Sequence, residues 1–269
     1  MTRPLPSPPL AQALASLAER ECRRAIRALA DASDRHKGVH EARKSFRRLK
    51  SLLALGAGRF GDALDPLWTE LSSLATGLSA LRDAHVALAM AKTVAGDTPS
   101  ATWRAVIGRL AARRDEKLER ALRRDPAFAQ RRQRLAELGV HIQALPWAAL
   151  ERDDIEKALA ASERRVAKAE TRAARHGTQA NRHRWRRRAR RLRMQLEFWR
   201  KALNMVDAPA HHRAHEDKLA AKRMSDLSDA LGARQDLRAL RKLLRTHEEP
   251  DVLPPLLQDV HHALKAAGH

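Results

Sequence analysis

The sequence contains no tyrosine and only one cysteine among its 269 residues. A single cysteine, Cys22, cannot form an internal disulfide and has no metal-ligand spacing around it. We therefore predict that Cys22 is a small packing residue in a reducing compartment. No apolar run approaches the ~18 residues that a membrane span requires, and the first residues lack the pattern of a secretory signal. These absences predict a cytoplasmic protein that does not enter a membrane.

Positive charge dominates the composition. The chain has 53 Lys and Arg against 32 Asp and Glu, which gives a formal net charge of +21. A surface of this charge attracts anions. Hydrophobic residues make up 43% of the chain, which is enough to bury a core. The composition favours a folded protein whose partner is an anion.

Apolar residues recur at helical spacing along nearly the whole chain, and no segment shows the alternation of a strand. In the first half, this spacing predicts helices at Leu10–Ala30, Val39–Leu55, Ala63–Met90 and Ser100–Arg124. In the second half, it predicts helices at roughly 150–175, 180–205, 213–245 and 253–267. We expect an all-α protein of two four-helix bundles, with a first repeat at 10–125, a connector at 126–149 and a second repeat at 150–269. The connector is predicted to hold one short helix and a bend at Pro146-Trp147.

Two basic segments of the chain resemble each other. VHEARKSFRRLKSLL, which begins at Val39, aligns without a gap with RHRWRRRARRLRMQL, which begins at Arg182, at an offset of 143 residues. A second pair, beginning at Leu78 and Leu231, aligns at an offset of 153 residues. Self-similarity over this distance predicts a duplicated helical unit, whose copies pack about an approximate two-fold axis.

Each aligned segment has a basic stripe beside an apolar one, because a helix repeats every 3.6 residues. The basic residues of copy one are His40, Arg43, Lys44, Arg47, Arg48 and Lys50. Those of copy two are His183, Arg186, Arg187, Arg190, Arg191 and Arg193. The apolar residues are Ala42, Phe46, Leu49 and Leu53 in copy one and Trp185, Ala189, Leu192 and Leu196 in copy two.

The chemistry of these stripes suits a chain of phosphate groups. Arginine presents a planar fork that binds phosphate oxygens two at a time. Like charges that crowd one helix repel each other, and a bound polyanion would relieve that repulsion. His40 and His183 begin the stripes near the predicted helix N-termini, where free backbone N–H groups also attract anions.

The motif V-H-x-x-R-x-x-x-R-R-L-(K/R), its partner H-x-x-R-x-x-x-R-R-L-R and a late L-G-x-x-x-D resemble the CHAD family, named for its histidine-bearing α-helical domain. The resemblance covers nearly all of residues 1–269. It implies two four-helix bundles packed around a basic central groove that binds inorganic polyphosphate. The motif positions are all of the basic stripe residues except Lys44 and Arg187, which widen the binding stripes. The resemblance adds Arg82 and Lys222 as secondary contacts.

Some CHAD relatives are fused to a triphosphate-processing tunnel domain built from strands with an E-x-E-x-K signature. This sequence shows neither that signature on a strand nor any strand pattern. The resemblance therefore implies binding without hydrolysis, with no cofactor and no metal. Association with polyphosphate granules in the cytoplasm is one role that this implies, and sensing and scaffolding stay open beside it.

Two other functions stay open. A protein with a pI near 11.4 also suits the phosphate backbone of nucleic acid, although Trp185 is the only aromatic residue in the Arg-rich run. A metal-dependent phosphohydrolase would instead use helical i, i+3 and i+4 spacing to gather ligands. Its candidate ligands are His211, His212, His215, Glu216 and Asp217.

Overall fold

The computed structural model describes residues 8–206 and 214–267, with side chains described at 9–206 and 218–267. Within these ranges the chain is helical and contains no strand, which confirms the predicted all-α class. The helices are α1 Pro8–Ala30, α2 Arg35–Leu53, α3 Ala57–Phe60, α4 Leu64–Gly77, α5 Ser79–Ala95, α6 Ala101–Arg124, α7 Ala129–Gln143, α8 Arg152–His176, α9 Gln179–Met205, α10 Ala214–His247 and α11 Leu253–Ala266. Across the described ranges, no helix combines the length and apolar character needed to cross a membrane.

Helix α2 begins earlier than the sequence predicted. The side chain of Asp34 caps the helix by accepting a hydrogen bond of 2.9 Å from the backbone N–H of Lys37. Gly38, the residue before the predicted start at Val39, lies inside α2. A Cβ atom at position 38 would lie 2.2 Å from the backbone oxygen of Ala28, so glycine allows α1 and α2 to approach closely.

The apolar pattern from Ala63 to Met90 belongs to two helices. α4 ends at Gly77, and Leu78 leaves the helical conformation with φ −104° and ψ 2° before α5 begins. Leu74, Leu78 and Leu81 are nevertheless all buried, so the hydrophobic period continues across the break. The apolar spacing predicted which side chains are buried, but it did not show that the helix breaks at Leu78.

The predicted connector, residues 126–149, is largely the 15-residue helix α7. α7 packs against α1 and buries Leu135, Leu138 and Ile142. Trp147, in the bend that follows, is also buried and donates its indole N–H to the backbone oxygen of Ile142 at 2.8 Å. This segment is therefore part of a hydrophobic core.

The chain divides into two compact units. Unit 1 comprises residues 1–76 and 128–228, and unit 2 comprises residues 77–127 and 229–269. Each unit takes residues from both of the predicted repeats, 10–125 and 150–269, and these bounds stay a prediction. The duplication of a four-helix unit stays a prediction from the sequence alignment.

In unit 1, α1 packs against α2 and α7, and α9 packs against α8, α1 and α2. Its largest fully buried side chains include Phe46, Phe128, Phe198 and Trp199. Removing a side chain of this size from water contributes roughly 1.5–3 kcal/mol. The predicted apolar stripes are confirmed as buried, except that Trp185 is only partly buried.

In unit 2, α5 packs against α6 and α11. Trp103 is buried in this core and donates its indole N–H to Asp259 Oδ2 at 2.8 Å. Leu240 and Val260 are fully buried in the same cluster. These contacts give unit 2 a hydrophobic core of its own.

Candidate polyanion-binding surface

The two basic helices of the sequence repeat, α2 and α9, pack against each other inside unit 1. Ser51 Oγ lies 3.6 Å from Met194 Sδ, and these positions are equivalent at the offset of 143 residues. Arg48, before Ser51, contacts Glu197, after Met194, so the helices run in opposite directions where they meet. A contact between equivalent positions is what an approximate two-fold axis between duplicated helices would produce.

Equivalent arginines on the two helices make the same kind of contact. On α2, Arg43 Nη1 donates to the backbone oxygen of Ala75 in α4. On α9, Arg186 Nε donates to the backbone oxygen of Ser228 in α10 at 2.9 Å. Ala75 and Ser228 are related by the second sequence offset, 153 residues. A guanidinium group has five N–H donors, so one contact of this kind can fix the orientation of the group.

A basic recess of about 180 Å³ opens between α9 and the first part of α10. Its ionisable lining residues are Arg193, Glu197, Arg200, Lys218 and Lys222. Arg193 and Lys222 were predicted on separate grounds, and the structure brings them together. Four cations against one carboxylate leave the recess with an excess of three positive charges. Such an excess favours an anionic occupant.

Copy one has a related arrangement around Lys50, which is equivalent to Arg193. Lys50 Nζ donates to Ser72 Oγ, while Ser225, the equivalent of Ser72, lines the basic recess beside Arg193. Desolvation lowers the pKa of Lys50, and the positive charge of Arg191 lowers it further. A cation of copy one therefore lies within the electrostatic field of a cation of copy two.

Arg48 requires a correction, because the sequence predicted that it binds phosphate. It is only 6% exposed, and its Nε and Nη1 atoms lie 2.6 Å from Glu21 Oε1 and 2.8 Å from Glu197 Oε2. Its guanidinium carbon also lies 4.6 Å from the centre of the Phe198 ring. Two carboxylates and an aromatic ring satisfy this cation, so Arg48 has a structural role.

The two histidines also differ from the prediction. Since α2 begins at Arg35 and α9 at Gln179, His40 and His183 lie beyond the first four N–H groups of each helix. His40 is exposed, and His183 is partly buried with Nε2 3.1 Å from Gln179 Nε2. Their predicted contact with phosphate therefore rests on their side chains, without the helix N-terminus.

The remaining stripe residues lie at the surface of unit 1. Arg187 and Arg191 are exposed, and Lys44 and Arg47 are partly exposed. Lys44 Nζ lies 3.7 Å from Glu41 Oε1, and Arg190 Nε donates to Ser228 Oγ at 3.3 Å. Arg190 therefore faces α10, as does Arg186 one turn before it.

A second group of cations faces α8, on the other side of α9. Arg188 Nη1 donates to the backbone oxygen of Arg165 in α8 at 2.9 Å. Desolvation lowers the pKa of Arg188. The positive charges of four neighbouring arginines lower this pKa further: Arg184, Arg165, Arg172 and Arg187. The pKa of Arg191 is lowered as well, by partial desolvation of its exposed side chain and then by the charges of Arg165 and Arg188. These arginines crowd one another, and each raises the cost of the others' charge.

Sequence reasoning missed the contribution of α8. Arg165 and Arg172 are seven residues apart and therefore share a face of the helix. The same i, i+7 spacing identified the stripes of α2 and α9. α8 has this spacing too, but it lies outside the two repeated segments.

Arg82, the other predicted secondary contact, lies in unit 2. Its guanidinium group lies 3.0 Å from Asp83 Oδ1 and 3.5 Å from Asp236 Oδ1, and these two aspartates are equivalent at the offset of 153 residues. Arg82 lines a cavity of about 270 Å³ together with Arg113 and Lys117. Two carboxylates already neutralise Arg82, so its contact with a ligand stays a prediction.

The candidate metal ligands lie outside what the structure describes. His211 and His212 are outside the described residues, and so are the side chains of His215, Glu216 and Asp217. Among the side chains that are described, no group of three or more His, Cys, Asp or Glu residues could hold a metal ion.

Comparison with family models identifies one family. A family model described as the CHAD domain matches residues 9–245. The chain is similar to the crystal structure of the CHAD domain from the plant Ricinus communis, with 21% identity and a TM-score of 0.67 over 96% of this chain and 85% of that one. It is also similar to PptA from Streptomyces chartreusis, with 16% identity and a TM-score of 0.63 over 96% of both chains. At these identities the structural likeness shows the fold alone. No curated protein matches the chain.

Proposed function

Because the chain belongs to the CHAD family, we propose that it binds inorganic polyphosphate on the basic surface of α2, α9 and α10 in unit 1. The observation that carries the proposal is the recess between α9 and α10. There Arg193, from the repeated stripe, lies beside Lys222, from a different helix, and positive charge exceeds negative charge. Cations from separate helices that line one recess can bind successive groups of one polyanion.

The surface suits phosphate for a physical reason beyond its net charge. Arg186 and Arg190 are held by Ser228, which fixes their guanidinium groups before a ligand arrives. A group that is already oriented loses less conformational entropy when it binds. The lysines of the recess, Lys218 and Lys222, are exposed and can adjust to phosphates at different positions.

We propose binding without catalysis. The stripe consists mainly of arginine, which keeps its proton near neutral pH and cannot exchange it with a substrate. Arginine is therefore suited to holding charge and not to acid–base chemistry. A protein with this role would gather on polyphosphate granules in the cytoplasm, which is where we propose that it resides.

Nucleic acid is the alternative ligand, because its backbone also presents repeated phosphates. Binding of single strands uses exposed aromatic rings on which bases stack. Trp185, the aromatic residue of the Arg-rich run, is partly buried, so its ring offers only part of a stacking surface. This supports polyphosphate, which has no bases to stack, over single-stranded nucleic acid.

The test compares polyphosphate with single-stranded and duplex DNA of matched charge, at ~150 mM salt where nonspecific electrostatic attraction is reduced. We expect tighter binding to polyphosphate, and we expect the K218Q/K222Q variant to lose roughly tenfold in affinity. Equal or tighter binding to DNA would overturn the proposal.

The matched control is the K157Q/R164Q variant. Lys157 and Arg164 lie on α8 in unit 1 and are exposed, and the substitution removes the same number of positive charges. An equal loss of affinity in both variants would mean that overall charge, and not the recess, attracts the ligand.

A further inference from the structure

The arginines of α9 form a continuous arc around the helix between α10 and α8. Arg186 donates to Ser228 in α10, and Arg188 donates to Arg165 in α8. Successive residues of a helix are separated by about 100°, so Arg187 lies between these two directions. Arg187 is exposed. Arginine side chains therefore cover the exposed side of α9 from α10 to α8.

Helix α8 continues this arc. Its buried residues include Ile155, Val166 and Ala173, which define the face that packs into unit 1. Arg165 and Arg172 lie on a face about 100° away from them, at the edge where α8 meets α9. Both side chains are exposed.

The arginines on this edge of α8 and α9 repel one another. Arg165 acts on both Arg188 and Arg191, and Arg172 acts on Arg188, in each case as a like charge that disfavours the protonated arginine. Like charges destabilise the folded chain when nothing neutralises them. A bound polyanion would turn this repulsion into attraction.

We propose that the polyphosphate-binding surface extends around α9 onto α8, where Arg165 and Arg172 contact the same polyanion that occupies the recess between α9 and α10. This inference rests on the proposed function, since it assigns a further part of the same surface. A polyanion that follows the arc would contact α10, α9 and α8 in that order.

The test is calorimetric titration of the full chain and its R165Q/R172Q variant with polyphosphate of defined length. We expect the variant to lose roughly tenfold in affinity, and the slope of log affinity against log salt to fall by about 1 to 2, because two phosphate contacts disappear. The number of polyphosphate chains bound per protein should not change. A variant that loses a whole bound ligand would show a separate site and overturn the inference.

The control pair again lies on α8. Lys157 and Arg164 are seven residues apart, as Arg165 and Arg172 are, but each lies on a face about 100° away. We expect K157Q/R164Q to keep its affinity within about threefold, because exposed charges away from a ligand act weakly. Equal effects of the two pairs would overturn the inference.

Different measurements would refute polyphosphate binding and its extension onto α8. If the unsubstituted protein does not prefer polyphosphate to DNA, the proposed function fails. If it does, and K218Q/K222Q weakens binding while R165Q/R172Q does not, only the extension onto α8 fails. Thermal unfolding of R165Q/R172Q checks its fold, and its midpoint should not fall, because like-charge repulsion is reduced.

Discussion

Arg48 and Arg191 occupy equivalent positions of the repeat, and we predict that their substitution has opposite consequences. Arg48 is buried against Glu21 and Glu197, whereas Arg191 is exposed among other arginines. R48Q should therefore destabilise the protein and leave its affinity for polyphosphate unchanged. R191Q should weaken binding and leave stability unchanged or slightly higher.

The expected magnitude follows from the carboxylates that R48Q leaves behind. Glu21 is 7% exposed, and removing one partner of a buried ion pair costs about 3–5 kcal/mol. Glu197 keeps Arg193 at 3.0 Å, so most of the cost falls on Glu21, and we expect about 3 kcal/mol. For R191Q we expect a change within about 0.5 kcal/mol, in the stabilising direction, because a crowded cation is removed.

Urea unfolding measures the first effect. With a slope of about 3 kcal/mol per molar urea, a loss of about 3 kcal/mol lowers the midpoint by about 1 M. The double variant E21Q/R48Q should recover part of that loss, because no buried carboxylate is left without a partner. Similar stability of R48Q and R191Q, or a loss of affinity in folded R48Q, would refute the structural role of Arg48.

Two further predictions concern other titratable groups of unit 1. Burial raises the pKa of Cys22 to about 12, and the negative charges of Glu21 and Glu19 add to the effect. Iodoacetamide at pH 8 should therefore label the native thiol at least about a hundredfold more slowly than the urea-unfolded thiol. Mass spectrometry can measure both rates. Desolvation acts to raise the pKa of Asp154, but hydrogen bonds from Arg59 and from the Glu151 backbone lower it overall. The ionised Asp154 carboxylate therefore stabilises the folded protein at neutral pH, and this stability is lost as pH falls through the lowered pKa. The D154N variant should have a melting midpoint about 2 °C lower than the unsubstituted protein at pH 7, and the same midpoint below about pH 2. A melting difference that persists in acid would contradict this sign.

Most helices could be predicted from the sequence, because apolar spacing and capping residues are local signals. Ser100 caps α6 by accepting from the Trp103 backbone at 3.2 Å, and Gly177 ends α8 with a positive φ of 55°. The errors arose where tertiary packing decided the backbone. Gly38 marks a close approach of two helices and not a helix start, and Leu78 stays buried although the helix breaks there.

The candidate site was predicted in part. The basic stripes pointed to α9, whose Arg187 and Arg191 are exposed, and the resemblance supplied Lys222, which lies beside Arg193. The contribution of α8 was missed, because Arg165 and Arg172 become neighbours of Arg188 only when α8 and α9 pack together. Sequence spacing shows which residues share a helix face, but not which helix that face meets.

The sequence by itself determined the all-α class, the excess of positive charge and the alignment of the two basic segments, since each depends on composition or local period. Only the tertiary structure decided what each cation does. The same aligned position holds Arg48 in a buried ion pair and Arg191 at the surface, because a carboxylate on α1 reaches one and other arginines surround the other. An arginine that folds against a carboxylate has a structural role, whereas one that stays at the surface is available for a ligand. The residues that decide this are distant in the sequence.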